Sequence, residues 1–174
     1  MLKKIEKINI PFYYCNLVGA QDELIFDGES LAYNENGAQI AQGKVFVEDL
    51  VFIDFKKQLS TSFTTQPKEE KLYGALCLGI KDYFRKTGHK KALIGLSGGI
   101  DSALVACIAV DALGSENVHG ISMPSNISSE HSKDDARQLA DNLKIDYRSI
   151  PINDIVKSFE TLLEPQFIGT ERNV

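Results

Sequence analysis

From Lys91 onward the chain alternates short apolar runs with helix-length segments, and that alternation restricts it to one class of fold. Ala92 to Leu96 reads as a strand, and Ala103 to Leu113 as a helix closed by Gly114. Val118 to Met123 reads as a second strand, followed by a loop from Pro124 to Glu130. Ser132 suits the cap of a helix that carries Asp134 and Asp135 in its opening turns and runs to about Leu143. Tyr147 to Ile152 is a third strand, and Asn153 suits the cap of a helix with Ile155, Val156, Phe159, Leu162 and Leu163 as its apolar positions. Strands alternating with helices of this length imply a parallel sheet with helices on its faces. Three strands make about half of a typical open α/β sheet, so the sheet reads as incomplete.

Between the first strand and its helix lies Ser97-Gly98-Gly99-Ile100-Asp101-Ser102. Glycines lack Cβ, so an anion can approach their backbone closely. Consecutive amides in such a turn form an anion nest, and the helix that follows adds its free N–H groups. Ser97 and Ser102 add hydroxyls. Asp101 is an odd neighbour for a phosphate unless a cation lies between them, and Mg²⁺ is commonly held by one or two carboxylates plus phosphates. The loop also follows a parallel strand at its C-terminal end, where ligands bind in open α/β sheets. A glycine pair between strand and helix can be a plain turn, but hydroxyls, carboxylate and helix start together favour a phosphate site. The loop is not Gly-x-x-x-x-Gly-Lys-Ser/Thr, because no lysine follows the glycines, and it is not Gly-x-Gly-x-x-Gly.

The first part of the chain is different. Ile10 to Val18 is an apolar, aromatic run ending at Gly19, and Glu23 to Tyr33 alternates loosely. Asn34-Glu35-Asn36-Gly37 signals a turn. Ala38 to Phe46 and Asp49 to Phe55 read as further strands. Four strands need a second layer, and none is visible within this stretch. Residues 56–68 are polar, Ser/Thr-rich and contain Pro67, which makes them the expected linker. Residues 69–87 are helical: Leu72, Leu76, Ile80, Tyr83 and Phe84 form one apolar stripe, and Gly88 suits the C-cap. Gly74 and Gly79 weaken the middle of that helix.

Composition narrows the function. A net charge of −5 over 174 residues argues against a nucleic-acid-binding surface. No apolar run reaches the ~18–20 residues of a membrane span, and Met1 to Lys7 precedes no signal-peptide h-region; the expected location is the cytoplasm. Cys15, Cys77 and Cys107 match neither a zinc site nor a redox pair and are expected to be reduced and mostly buried. His89, His119 and His131 are equally scattered and are expected on the surface or in loops. Asp22 and Glu23 are adjacent on a strand and point to opposite faces, so they do not form an acid/base pair.

Ser97-Gly98-Gly99-Ile100-Asp101-Ser102 resembles the signature of the N-type ATP pyrophosphatases, which cleave ATP between the α- and β-phosphates. Gly120-Ile121-Ser122-Met123-Pro124-Ser125, Ser128-Ser129-Glu130-His131-Ser132 and Asp134-Asp135-Ala136 are similar to the second-strand region of NAD synthetases. Tyr14 to Ser30 is similar to the late strands of the nitrilase-like glutaminase domain that precedes the synthetase domain in glutamine-dependent NAD synthetases. The resemblance covers about residues 8–174. It implies a three-layer α/β/α domain of the adenine nucleotide alpha hydrolase type over residues 69–174, incomplete. It likewise implies the β-rich remnant of a nitrilase-like α/β sandwich over residues 1–55.

The implied reaction amidates nicotinic acid adenine dinucleotide to NAD⁺ through an acyl-adenylate, with ammonia from glutamine, releasing AMP and pyrophosphate. Gly95, Leu96, Ser97, Gly98, Gly99, Ile100, Asp101 and Ser102 are implied to bind ATP at its pyrophosphate. Met123 is implied to lie near the adenine, and Asp101 to hold Mg²⁺. No residue is assigned as a catalytic acid, base or nucleophile. The family's glutaminase Glu, Lys and Cys lie upstream of the strands represented, Cys15 does not match the nucleophile, and Thr170-Glu171-Arg172-Asn173 looks like the approach to a dinucleotide-binding segment. The chain therefore reads as an internal fragment, inactive by itself. An unfinished sheet also predicts exposed edges and a homo-oligomer. The alternatives are another N-type ATP pyrophosphatase such as GMP synthetase, which the nitrilase-like strands disfavour, and a truncated, non-catalytic nucleotide-binding product.

Overall fold

A computed structural model describes residues 9–54, 63, 65–166 and 168–169. The chain divides into two compact units, Met1–His89 and Lys90–Val174.

In the first unit the expected long strands are broken into short ones: β1 (Phe12–Tyr14), β2 (Val18–Gln21), β3 (Leu24–Asp27), β4 (Leu31–Tyr33) and β5 (Gln39–Gln42). The breaks have local causes. Gly28 and Glu29 take positive φ (73° and 43°) and turn the chain between β3 and β4. Asp22 does the same (51°) between β2 and β3. β2 and β3 form an antiparallel pair, while β1, β4 and β5 form an antiparallel sheet in the order β1-β4-β5. The Asn34 turn forms as expected, with Gly37 at φ 77° donating its N–H to the Asn34 carbonyl at 3.0 Å. The strand expected from Asp49 onward does not form over 49–54; the chain there is irregular. Of the run from Ala38, only β5 is regular, with Val45 adding an isolated bridge to Gly28. Of the expected linker at 56–68, residues 56–62 and 64 lie outside the described residues, 63 and 65–67 have no regular structure, and Lys68 already belongs to the following helix.

The missing second layer is the helix α1 (Lys68–Thr87), which packs on β2 and β3. Its glycines are contact points. A Cβ on Gly74 would lie 2.6 Å from the Phe46 ring, and one on Gly79 would lie 3.2 Å from Ile25 Cδ1. The helix is further tied by Asp82, which is 7% exposed and accepts the Ala20 N–H at 2.8 Å. Arg85 donates to Asp82 from Nε (3.0 Å) and Nη2 (2.9 Å), and the Lys86 ammonium lies 3.2 Å away. The Ala20 amide, the Arg85 guanidinium and the Lys86 ammonium hold the Asp82 carboxyl down at about 2, against the opposing effect of its burial. Lys71 pairs with Glu29, and Lys86 also donates to the Ala20 carbonyl. Gly88 closes the helix in the left-handed conformation.

The second unit has the expected alternation: β6 (Ala92–Gly95), α2 (Ile100–Leu113), β7 (Val118–Ser122), α3 (Glu130–Leu143), β8 (Asp146–Ser149) and α4 (Asn153–Leu163). The sheet is parallel in the order β6-β7-β8, with Ile94 opposite Gly120 and Gly120 opposite Tyr147. Its core is built from Leu96, Val118 and Ile145 against small residues of α2 and α3: Ala106, Ala109, Ala136 and Ala140. Alanines let both helices lie close to the sheet. Gly120 serves the same end, since a Cβ there would meet Leu96 Cδ1 at 2.6 Å. Two caps differ from expectation. Ser129, rather than Ser132, caps α3 by accepting the Ser132 N–H at 3.1 Å. Asn153 is the first residue of α4 instead of its cap, and Ile152 occupies the cap position.

Candidate functional site

The site begins where β6 ends. Leu96, 2% exposed, is anchored by its N–H to the Ile121 carbonyl at 2.8 Å and by its side chain in the core. The chain then turns through Ser97 and Gly98, which takes φ +81°, and enters α2 with Gly99 as an extended cap. Gly98 is there for two reasons. An L side chain rarely adopts that φ, and a Cβ would lie 2.2 Å from the Ser132 carbonyl oxygen. The loop is thus pressed against the first turn of α3.

Hydroxyls brace the loop from inside. Ser102 Oγ accepts the Ser97 N–H at 3.2 Å, lies 3.0 Å from Ser97 Oγ, and donates to the Gly99 carbonyl at 3.0 Å. Ser97 Oγ accepts the Gly99 N–H at 3.2 Å. The two serines expected as ligand donors therefore also hold the turn's shape. The head of α2 is open: no side chain caps it, and the Ala103 N–H is bonded to the Gly99 carbonyl at 3.1 Å. The amides before it belong to the first turn, where helices leave N–H groups without intrahelical partners. Asp101 stands exposed in that turn.

Beside the loop is a cleft of about 340 Å³ between the ends of β6 and β7 and the start of α3. Of the expected residues, Gly95, Leu96, Ser97 and Met123 line it. Met123 is 55% exposed at its mouth. Gly98, Gly99 and Ile100 line a second, shallower hollow of about 390 Å³ between α2 and α3. The loop is thus a wall between two hollows, with Asp101 and Ser102 on the helix above it. Ser122, Pro124, Ser128, Ser132 and Lys133 complete the first cleft. Sequence reasoning did not single out Lys133, although a cation in the first turn of a helix was a readable signal.

Among the described residues no group of three or more His, Cys, Asp or Glu side chains could hold a metal. Asp101 belongs to no such group and stands exposed in the first turn of α2, one residue before the Ser102 hydroxyl. The thiols do not follow the buried expectation: Cys15 is exposed just past β1, and Cys77 and Cys107 are half-buried in α1 and α2. His119 lies on β7, with Nδ1 3.2 Å from Asp146 Oδ2. Among the described residues, no helix is long and apolar enough to cross a membrane.

The family model for NAD synthase matches residues 72–173. The glutamine-dependent NAD(+) synthetase of a Synechocystis strain is 46% identical over 170 residues, covering 93% of this chain and 30% of that protein. The enzyme of the same name from Aquifex aeolicus is 40% identical, covering 91% and 34%. The solved structure of glutamine-dependent NAD+ synthetase from Acinetobacter baumannii, in complex with ADP, superposes with a TM-score of 0.91 at 34% identity. That match covers 99% of this chain and 34% of that one. The chain thus spans about a third of the length of these relatives.

Proposed function

The chain belongs to the NAD synthase family, and from that premise we propose that residues 95–102 grip the pyrophosphate end of ATP in a glutamine-fed amidation yielding NAD⁺. The observation that carries the reading is the uncapped head of α2 behind a glycine turn at φ +81°, next to a cleft of nucleoside size. Support comes from the relative whose structure contains ADP.

In this reading the carboxylate of nicotinic acid adenine dinucleotide attacks the α-phosphorus, and pyrophosphate departs with the bonding electron pair. Ammonia then displaces AMP from the acyl-adenylate. The amides at the head of α2 donate to the leaving pyrophosphate, whose growing charge they are already oriented to receive. Met123 and the backbone of Gly95 flank the adenine side of the cleft. Ser97 and Ser102 keep the amides in place. The donor set suits Mg²⁺: an exposed carboxylate, Asp101, matches an ion whose remaining ligands are phosphate and water. When bound, that ion supplies neutralisation of phosphoryl charge. No side chain is assigned as a general base, and a carboxylate nucleophile requires none.

In the same reading, residues 1–55 close a nitrilase-like glutaminase domain, 56–68 link, and 69–174 open the synthetase domain, in line with the family match over 72–173. The first helix of that last stretch nevertheless packs on β2 and β3 within the compact unit Met1–His89. The glutaminase Glu, Lys and Cys are then supplied by sequence other than these 174 residues. Sheet edges at β6 and β8, each paired on one side among the described residues, suit a homo-oligomer working in the cytoplasm. Titration of ATP with Mg²⁺ into the chain tests the site. Binding that weakens about fivefold or more in Asp101→Asn, with folding unchanged, is expected from loss of one metal ligand. Equal affinities for both forms sink the metal role, and absence of ATP binding sinks the reading.

A further inference from the structure

Among the described residues, Lys133 is the one charged side chain lining the nucleotide cleft. Its position runs against the local electrostatics. Helix N-termini carry partial positive charge and favour acidic residues, yet Lys133 stands four residues past the Ser129 cap of α3. Positions that break a local preference are where function is expected. Its partner is Glu130, at 2.7 Å within the same turn. That partner is loosely placed: the Glu130 side chain is 83% exposed, while that of Lys133 is 35% exposed. Exposed pairs of this kind are weak. The lysine stem therefore lies in the cleft wall while its ammonium is held by a carboxylate in solvent.

Lys133 is also fixed relative to the phosphate loop. It follows Ser132, whose carbonyl oxygen would be 2.2 Å from a Cβ on Gly98. Its N–H bonds the Ser129 carbonyl at 3.3 Å. Loop and lysine thus share one rigid turn. Ser97, Ser128 and Ser132 line the same cleft and are neutral, so among the described residues Lys133 is its sole source of full positive charge.

We propose that Lys133 is a phosphate-positioning residue, whose ammonium exchanges Glu130 for the phosphate chain of the bound nucleotide. A phosphate inside the cleft offers a less solvated, more highly charged acceptor than an exposed carboxylate, and such charge-assisted hydrogen bonds are the stronger kind. Glu130 then acts as a holding counter-ion that the phosphates displace. The inference rests on the nucleotide reading of this cleft, and it assigns the lysine to the phosphates instead of the base.

The test is titration of ATP, with adenosine measured by competition, into the 174-residue chain and its variants at fixed Mg²⁺ and ionic strength, with thermal melts alongside. Lys133→Met is expected to weaken ATP binding roughly tenfold, the size of one lost charge-assisted hydrogen bond, with adenosine affinity and melting temperature unchanged. Lys133→Arg is expected to retain most of the ATP affinity, and Glu130→Gln to raise it about twofold by freeing the ammonium. Equal ATP affinity in wild type and Lys133→Met overturns the proposal while leaving the nucleotide site standing. Parallel losses of ATP binding, adenosine binding and thermal stability overturn it in favour of a structural role. No ATP binding by the wild-type chain overturns the nucleotide reading and this proposal together.

Discussion

On helix α1 and at the head of helix α2, a carboxylate and a glycine at a close approach are put to opposite uses. On α1, Asp82 is buried and surrounded: an amide, a guanidinium and an ammonium all turn to it. On α2, Asp101 is exposed, and the amides around it belong to an uncapped helix head. Gly79 of α1 faces the tip of a flexible side chain, Ile25. Gly98, before α2, faces backbone. The lesson is that satisfied polar groups mark a joint, while oriented but open ones mark a site. Burying an unpaired amide or carboxylate is costly, so open donors persist where solvent or a ligand can reach them.

Substitutions test that contrast. The largest expected effect is at Gly98. Gly98→Ala places a Cβ against the Ser132 backbone at a left-handed φ, and a loss of about 2–4 kcal/mol is expected from strain and overpacking. Chemical denaturation reads the stability, and ATP titration is expected to fail in parallel because the amides lose their direction. An alanine variant that melts like the wild type would break the claim that the loop is locked to α3.

Asp82→Asn comes next. It leaves the Ala20 amide with a weaker acceptor and removes the charge that Arg85 and Lys86 face. A loss of about 1–3 kcal/mol is expected, less than for a wholly buried ion pair because both cations reach solvent. ATP affinity is expected to stay the same. The pH dependence sharpens the point. The Asp82 carboxyl is lowered from 3.8 to about 2 in the fold, so the native state binds its proton less readily than the unfolded chain. Its stabilisation is present above about pH 4 and is lost as pH falls towards 2. Acid titrations of stability in wild type and Asp82→Asn are expected to converge over that window; parallel curves would show that Asp82 contributes nothing through its charge.

The smallest effect is expected at Gly79. Alanine is favoured over glycine in a helix by about 1 kcal/mol, and a 3.2 Å approach to Ile25 Cδ1 asks only a small shift of a side-chain tip. Gly79→Ala is therefore expected to change stability by under about 0.5 kcal/mol, because the two effects offset. A large loss in its denaturation midpoint would mean that α1 is seated on β3 as rigidly as Gly98 is seated on α3.

The two units also differed in how readable they were. In the second, strands of strong apolar character and helices of alanine-rich or amphipathic pattern were placed within a few residues, because each element's periodicity reports the face it buries. Cap choice was less readable: Ser129 and Ser132 are both competent, and only the path of the chain into α3 decides between them. In the first unit, Ile10–Val18 and Glu23–Tyr33 each read as one strand but are interrupted by irregular chain or by residues at positive φ. Asp22 is a residue type that tolerates the left-handed region, and Asp27-Gly28 signals a turn, but neither signal says that the strand breaks there. The second layer over those strands was also missed. Its helix was legible, but its docking through Gly74, Gly79 and Asp82 pairs residues as many as 66 positions apart, as Lys86 and Ala20 are.

By itself, then, the sequence determined the alternating α/β order, the parallel sheet and the glycine turn between strand and helix at Ser97–Ser102. All of these are local: they depend on period, on missing Cβ atoms and on what stands next to what. Tertiary structure decided the rest. It made Gly98 indispensable through Ser132, turned Ser97 and Ser102 into braces, brought Lys133 into the cleft and buried Asp82 under Ala20. Those outcomes depend on which distant backbone arrives at a given side chain, and only packing of the whole unit determines that.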